Sequence, residues 1–393
     1  MLSISPFRWI SQYYFGFFFV YGIYTPFWAL WLKSEGVAST DIGLIMGLAF
    51  GTRCLANLLV TPRVHRAEWY VPMLRVLTLL AIGFIAAHLF AVQHLLWIAL
   101  ATVLFNACFG PIIPLSDTLA NYYTNMKMLD YGRTRLWGSV AFIVGSLVVG
   151  WIVAHWGNDW ILYTALLGMS VTFLMSLRAP NPNPATQTET EVVRPKLIEM
   201  LRDKHVIKFL VLVSLIQGSH AAYYSFSSVY WKSVGHSEEI IGYLWSLGVI
   251  AEICIFALSR RLFGLWSIRA MFLLSSCAVA VRWGLTAFTT QLAALVFIQL
   301  LHSLTFAVAH LATIRYIQQA VPERMVALQS LYNAIPLGAV IATMTAISGW
   351  GFEHWGAQVF WVMALMGVVA LFVRLEPSDS VRQHRLNSMP GQG

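Results

Sequence analysis

The chain has 393 residues, of which 58% are hydrophobic and 11% charged, with a mean hydropathy of +0.68. Soluble domains carry about 25% charged residues, so a water-soluble globule is excluded and a bilayer-embedded protein is indicated. The net charge of +8 is compatible with nucleic acid or with anionic lipid, and the location of the cations has to separate the two.

A membrane crossing needs about 20 apolar residues. The first apolar stretch, 9–32, is too long for a signal-peptide core and lacks a small-residue cleavage site, so it reads as span 1. Eleven further spans are predicted at about 42–61, 71–90, 95–120, 135–157, 160–178, 206–231, 240–259, 267–288, 291–315, 326–350 and 357–375. The polar stretch 179–205, which begins APNPNPATQTETEVVRP, has the composition of a linker. Its last part, Lys196–Lys208, is amphipathic enough to lie on a membrane surface. The predicted fold is an all-α membrane protein of twelve transmembrane helices in two pseudo-symmetric six-helix bundles. These are residues 1–178 and 206–376, with a cytoplasmic linker at 179–205 and a cytoplasmic tail at 377–393. The four cysteines (Cys54, Cys108, Cys254, Cys277) lie in apolar runs without metal-like spacing and are read as buried small hydrophobes.

A repeat supports the two-bundle reading. KSEGVASTDIG at 33–43 returns 199 positions later as KSVGHSEEIIG at 232–242, near half the chain length. A half-length repeat in an apolar chain points to a transporter built from two copies of one unit. The same offset sets Arg53 against Glu252, an opposite-charge pair that could join the two bundles. With both termini placed in the cytoplasm, all but four of the 25 Lys and Arg residues fall on the cytoplasmic side. The exceptions are Lys33 and Lys232 on the opposite side and Arg53 and Arg282 within the membrane. This follows the positive-inside rule, and it turns the basic charge toward anionic lipid rather than nucleic acid.

Ionisable groups in mid-membrane are costly and tend to face a cavity or a partner. Asp117 and Arg135 flank the turn between spans 4 and 5, at similar depth in a helical hairpin. They read either as a structural clamp or as a substrate site in which Arg135 binds an anion that Asp117 competes for. Glu252 (span 8) and Arg282 (span 9) are the second-half candidates, and a carboxylate whose partner changes can take up and release a proton. His302 and His310 lie eight residues apart, near one helical face, and could relay protons or serve as core hydrogen-bonding groups. His220 carries the same ambiguity. Aromatics gather in YGIYTPFWALW (span 1) and QGSHAAYYSFSSVYW (span 7). Tyr24, Trp28, Tyr223 and Tyr224 would suit a flat aromatic substrate if they face a cavity, and a packed core is the alternative.

The twelve spans, the central linker and the half-length repeat resemble the major facilitator superfamily. The run DYGRTRLWGS (Asp130–Ser139) is similar to the start of span 5 in the lactose permease and nucleoside–proton symporter branches. There, an arginine two residues before Trp-Gly binds substrate, and Arg135 holds that position. Asp117 matches the acidic partner, and Arg282 with His302 matches that branch's arginine–histidine pair. Where lactose permease carries its proton on a glutamate three residues after that histidine, this chain has Thr305. The usual Gly-Asp-Arg loop after span 2 is degenerate here (TPRVHRAEWY). DYGRTRLWGSVAF, QGSHAAYYSFSSVYW and GYLWSLGVIAE resemble the bacterial 3-phenylpropionate permease group.

That resemblance implies inward proton symport of a phenyl-substituted carboxylate, and the chain is expected in a bacterial inner membrane as a monomer. Its partners would be the acid, protons and membrane lipid, with no nucleic acid. No cofactor and no metal are expected, the proton gradient supplying the energy. Arg135, Arg282, Asp117, Tyr24, Trp28, Tyr223 and Tyr224 are the substrate-site candidates, and Glu252, Asp117, His302 and His310 are the proton-coupling candidates. A sugar or nucleoside symporter is the alternative within transport, with a drug exporter behind it. Outside transport stand a membrane sensor and an embedded enzyme. The sequence has no phosphate loop, His-Glu-x-x-His run or soluble catalytic domain, so no enzyme is expected.

Overall fold

The computed structural model describes residues 3–91, 94–185 and 197–375. The expected tail and the middle of the linker, with Arg194, Lys196, Arg382 and Arg385, lie outside these residues.

The first six spans are single helices: Pro6–Ser34, Ser39–Val60, Tyr70–Ala91, Leu95–Asn125, Tyr131–Trp156 and Asp159–Ser176. Span 7 comprises Lys204–Gly218 and Ala221–Ser233, interrupted at Ser219 and His220. Spans 8 and 9 are Glu238–Phe263 and Ile268–Phe288. Span 10 runs from Leu292 and contains a π-helical turn, Ser303–Val308. The rest forms one apolar helical stretch of 49 residues, Arg324–Phe372. At 1.5 Å per residue that is about 73 Å, over twice a hydrocarbon core of about 30 Å, so it must cross twice. Gly356, at φ +56°, makes the turn between Ile341–Trp355 and Val359–Phe372. The described residues thus hold twelve crossings in an all-α membrane fold. Span 5 begins four residues before its predicted start because Asp130 caps it, its carboxylate accepting the Arg133 N–H at 2.7 Å.

The chain divides into two compact units. One holds Met1–Glu189, Ala221–Ile250 and Ala342–Val359, and the other holds Thr190–His220, Ala251–Ile341 and Phe360–Gly393. In the first unit, span 1 packs along spans 5 and 6 while span 4 packs along spans 2 and 3. In the second, span 9 packs on the π turn of span 10 and on the segment after it. Three cysteines depart from the expected burial, Cys54 being half-buried. Cys108 is buried, but Cys254 and Cys277 are exposed on their helices, as apolar side chains facing lipid can be.

The repeated residues have a shared physical reason within the first unit. Gly36 and Gly235 sit at φ +81° and +97°, a left-handed turn that ends each helix and favours glycine. Ser34 and Ser233 each donate a hydroxyl to the carbonyl three residues back, at 2.7 Å in both copies. Lys33 Nζ donates to Ser39 Oγ at 3.2 Å, and Lys232 pairs with Glu238, the position equivalent to Ser39, at 2.7 Å.

Gly43 and Gly242 are close-approach positions. A Cβ on Gly43 would fall 2.5 Å from Gly349 Cα and 3.0 Å from Thr345 O. One on Gly242 would fall 2.5 Å from Ser146 O and 3.6 Å from Gly150 Cα. Span 2 therefore meets span 11, and span 8 meets span 5, backbone against backbone. The Ser39 N–H adds a bond to Glu353 Oε2 at 2.6 Å across the first of these crossings.

Candidate functional site

Three intramembrane arginines organise the polar interior. The first is Arg135. The Asp130 cap sets the start of span 5, and Arg135 follows in its second turn with its Nε 3.6 Å from Asp117 Oδ1 on span 4. Both side chains are about 30% exposed (31% and 28%). The Tyr14 hydroxyl of span 1 donates to the same Asp117 oxygen at 2.5 Å. The Arg135 guanidinium lies over Phe18, 4.2 Å from the ring centroid, and 5.5 Å from that of Tyr14. The expected Asp117–Arg135 pair is present, with a tyrosine and an aromatic face added.

Arg53 is held differently. Its Nη1 donates to Tyr21 Oη at 3.2 Å and its Nη2 to Asn106 Oδ1 at 2.9 Å, while the Asn106 amide donates to Tyr24 Oη at 2.8 Å. Four rings surround the guanidinium carbon: Tyr21, Phe50, Tyr24 and Phe109, at 5.3 to 5.7 Å. Its expected counterpart, Glu252, belongs to the second unit and stands beside His302.

The third centre lies wholly in the second unit. Arg282, fully buried on span 9, donates from Nη1 to His302 Nδ1 and to Thr305 Oγ1, each at 3.0 Å. An arginine can only donate, so His302 Nδ1 must accept and cannot carry a proton while this bond lasts. The ring's other nitrogen, Nε2, faces Glu252 Oε2 at 3.7 Å. On the far side of Arg282, Thr305 Oγ1 meets His220 Nε2 at 3.0 Å. His220 Nδ1 lies against the carbonyls of Ile216 and Gln217, at 3.1 and 3.3 Å. Carbonyls only accept, so Nδ1 bears the proton, and Nε2 faces the Thr305 oxygen, whose hydroxyl is also 3.1 Å from the His302 carbonyl.

Two local distortions build this cluster. His220 sits in the break of span 7, where Ser219 receives the Trp283 indole N–H at 3.0 Å. Thr305 lies in the π turn, a kind of irregularity that clusters at functional sites. Phe306 stacks between the rings of His302 and His310, so the two histidines share a helical face as their spacing predicts. His310 Nδ1 bonds Tyr332 Oη at 2.9 Å, and Glu252 is near enough to act on His310 electrostatically.

The aromatic candidates separate. Trp28 is fully buried against Trp31, His88 and Phe105. Tyr24 is 2% exposed, packed on Trp28 and Phe105. Both are core residues, and Tyr24 acts through Asn106 on Arg53. Tyr223 is buried 4.4 Å from Trp245, while Tyr224, which stacks on the same indole, is half-buried. Tyr14, Tyr21 and Asn106 were missed by sequence reasoning, since none carries a charge to single it out. Among the described residues no group of three His, Cys, Asp or Glu side chains could hold a metal.

This polar interior on a twelve-span fold has known relatives. Residues 7–363 match the model of the MFS_1 like family, a branch of the major facilitator superfamily. The chain belongs to that family. The transporter is 42% identical to the "Probable 3-phenylpropionic acid transporter" of Escherichia coli (strain K12), over 93% of this chain and 97% of the relative. It is 26% identical to the "Maltose permease" of Geobacillus stearothermophilus, over 92% of each. Among solved structures, the nucleoside transporter NupG superposes with a TM-score of 0.79 at 16% identity, covering 94% of this transporter and 98% of that chain. A D-xylose-proton symporter superposes at 0.68 and 12%, covering 95% and 98%. These likenesses establish a multi-pass secondary transporter of the major facilitator fold.

Proposed function

We propose that this transporter is a proton symporter that imports a small aromatic carboxylate such as 3-phenylpropionate by alternating access. It would work as a monomer in a bacterial inner membrane, with both termini cytoplasmic and no cofactor beyond the proton gradient. The observation that carries this reading is the chain Glu252–His302–Arg282, in which a carboxylate, an imidazole and a permanent cation stand in series. A proton reaching Glu252 weakens its hold on His302 Nε2. A proton reaching His302 Nδ1 breaks the Arg282 bond and frees a cation, so proton uptake changes what Arg282 can bind. In the first unit, Asp117 stands against Arg135 and neutralises it. The substrate class follows the name of the 42% identical relative and agrees with an interior rich in arginine and aromatic rings.

Uptake of radiolabelled 3-phenylpropionate into proteoliposomes, with and without an inward proton gradient, tests both halves. Accumulation only under the gradient is expected. Uptake that ignores the gradient removes the coupling, and absence of uptake removes the substrate. Sugar symport is the second reading, favoured by the 26% identity to a maltose permease, and unlabelled maltose as competitor separates the two.

A further inference from the structure

Arg53 stands 14 residues into span 2, about 21 Å along its axis from Ser39 and about 15 Å from Arg63. That is the middle of the crossing. A guanidinium stays charged at any physiological pH, and one in mid-membrane calls for an anion or a polar cavity. Of the other two intramembrane arginines, Arg135 faces the Asp117 carboxylate, and Arg282 bonds His302, whose other nitrogen faces the Glu252 carboxylate. Among the described residues, no carboxylate pairs with Arg53. Its partners are the neutral Tyr21 hydroxyl and Asn106 amide, and its buried Nε has no hydrogen-bond partner.

The setting is shaped for more than charge. Tyr21 and Phe50 are half-buried, whereas Phe109 is buried and stacked on Phe17 and Phe105. Tyr21 lies 6.0 Å from Phe109 in a nearly parallel stack. Gly110 makes room for the arginine, since a Cβ there would fall 2.5 Å from Arg53 Cγ.

We propose that Arg53 anchors the carboxylate of the transported acid, while the half-buried rings of Tyr21 and Phe50 form the surface on which its ring lies. This deepens the proposed function and rests on its aromatic-acid reading. Arg135 can bind a carboxylate only by giving up Asp117, but among the described residues Arg53 has no anion to displace. A carboxylate arriving at Arg53 completes a charge pair the protein leaves open, and the neighbouring rings reward a phenyl group over a sugar hydroxyl.

The test measures binding to the purified full-length transporter by isothermal titration, with 3-phenylpropionate and its neutral counterpart 3-phenyl-1-propanol. Wild type is expected to prefer the acid by at least tenfold. Arg53→Gln is expected to weaken the acid by tenfold or more and leave the alcohol within twofold, abolishing the preference. Arg53→Lys keeps a point charge without the fork, so the acid is expected to weaken severalfold with the preference retained. It serves as the deciding variant if Arg53→Gln is not monodisperse. If wild type binds no aromatic acid, the substrate reading falls and the anchor falls with it. If wild type binds the acid and Arg53→Gln keeps its preference, or Arg53→Lys binds it unchanged, the anchor alone is overturned.

Discussion

Replacing Thr305 with valine tests the second-unit cluster at its hub. The side chain is fully buried, and its oxygen is 3.0 Å from both Arg282 Nη1 and His220 Nε2. Valine keeps the shape and removes the oxygen. Arg282 keeps its bond to His302 but loses a charge-assisted one, worth about 1.5–3 kcal/mol, and His220 loses a neutral one worth about 1 kcal/mol. A loss of about 2.5–4 kcal/mol is expected. Serine keeps the oxygen and deletes one methyl, at about 0.8 kcal/mol. Thermal and denaturant unfolding of the two variants in one detergent should place serine well above valine. Proton-driven uptake should fall for valine and persist for serine, because the hydroxyl orients Arg282 toward His302. If valine is within about 0.5 kcal/mol of serine, the threonine oxygen does not organise this centre.

Three further outcomes follow from the geometry. Gly43→Leu should drive span 2 from span 11, because even a Cβ would collide with Gly349 Cα. Cysteine labelling at Ser39→Cys is then expected to rise severalfold, and unchanged labelling would show that the crossing yields without opening. Asp117→Asn leaves Arg135 without its anion and removes the charge that accepts the Tyr14 hydroxyl. Uptake should drop at least tenfold, whereas Tyr14→Phe should cost less, and equal uptake in wild type and Asp117→Asn would make the pair a dispensable clamp. Asp203 caps span 7 through the His205 N–H at 2.9 Å and bonds Arg324. Burial raises its pKa, but these bonds outweigh it and hold the carboxyl below its ordinary value of 3.8. A depressed folded value means stabilisation that is complete above the unfolded value and lost as pH falls through the folded one. Asn still caps the helix, so Asp203→Asn loses mainly the Arg324 pair and should cost about 0.5–1 kcal/mol at pH 7 and progressively less below pH 4, read from unfolding curves.

The lengths of apolar runs sufficed for twelve crossings, because the bilayer sets a minimum that this chain meets each time. Spacing sufficed for Asp117–Arg135 and for the shared face of His302 and His310, since both rest on helical geometry over short distances. It did not reach the partners of Arg53, which arrive from spans 1 and 4, 32 and 53 residues away. Nor did it sort Tyr24 and Trp28 into the core. In a soluble helix the apolar stripe marks the inside, but in a bilayer both lipid-facing and core-facing positions are apolar, and that contrast fades. The break at His220 and the π turn at Thr305 carry no such pattern, because each depends on contacts with span 9.

Gly150 and Gly349 are themselves 199 positions apart, as are Ser146 and Thr345, so the contact of Gly43 with Gly349 and Thr345 is matched by that of Gly242 with Gly150 and Ser146. Surface i of one copy meets surface j of the other, and j meets i in return. This is the self-complementary, two-fold contact of a homodimer. The two copies within the one chain thus meet at these crossings as two identical subunits would, each offering the other the same pair of surfaces.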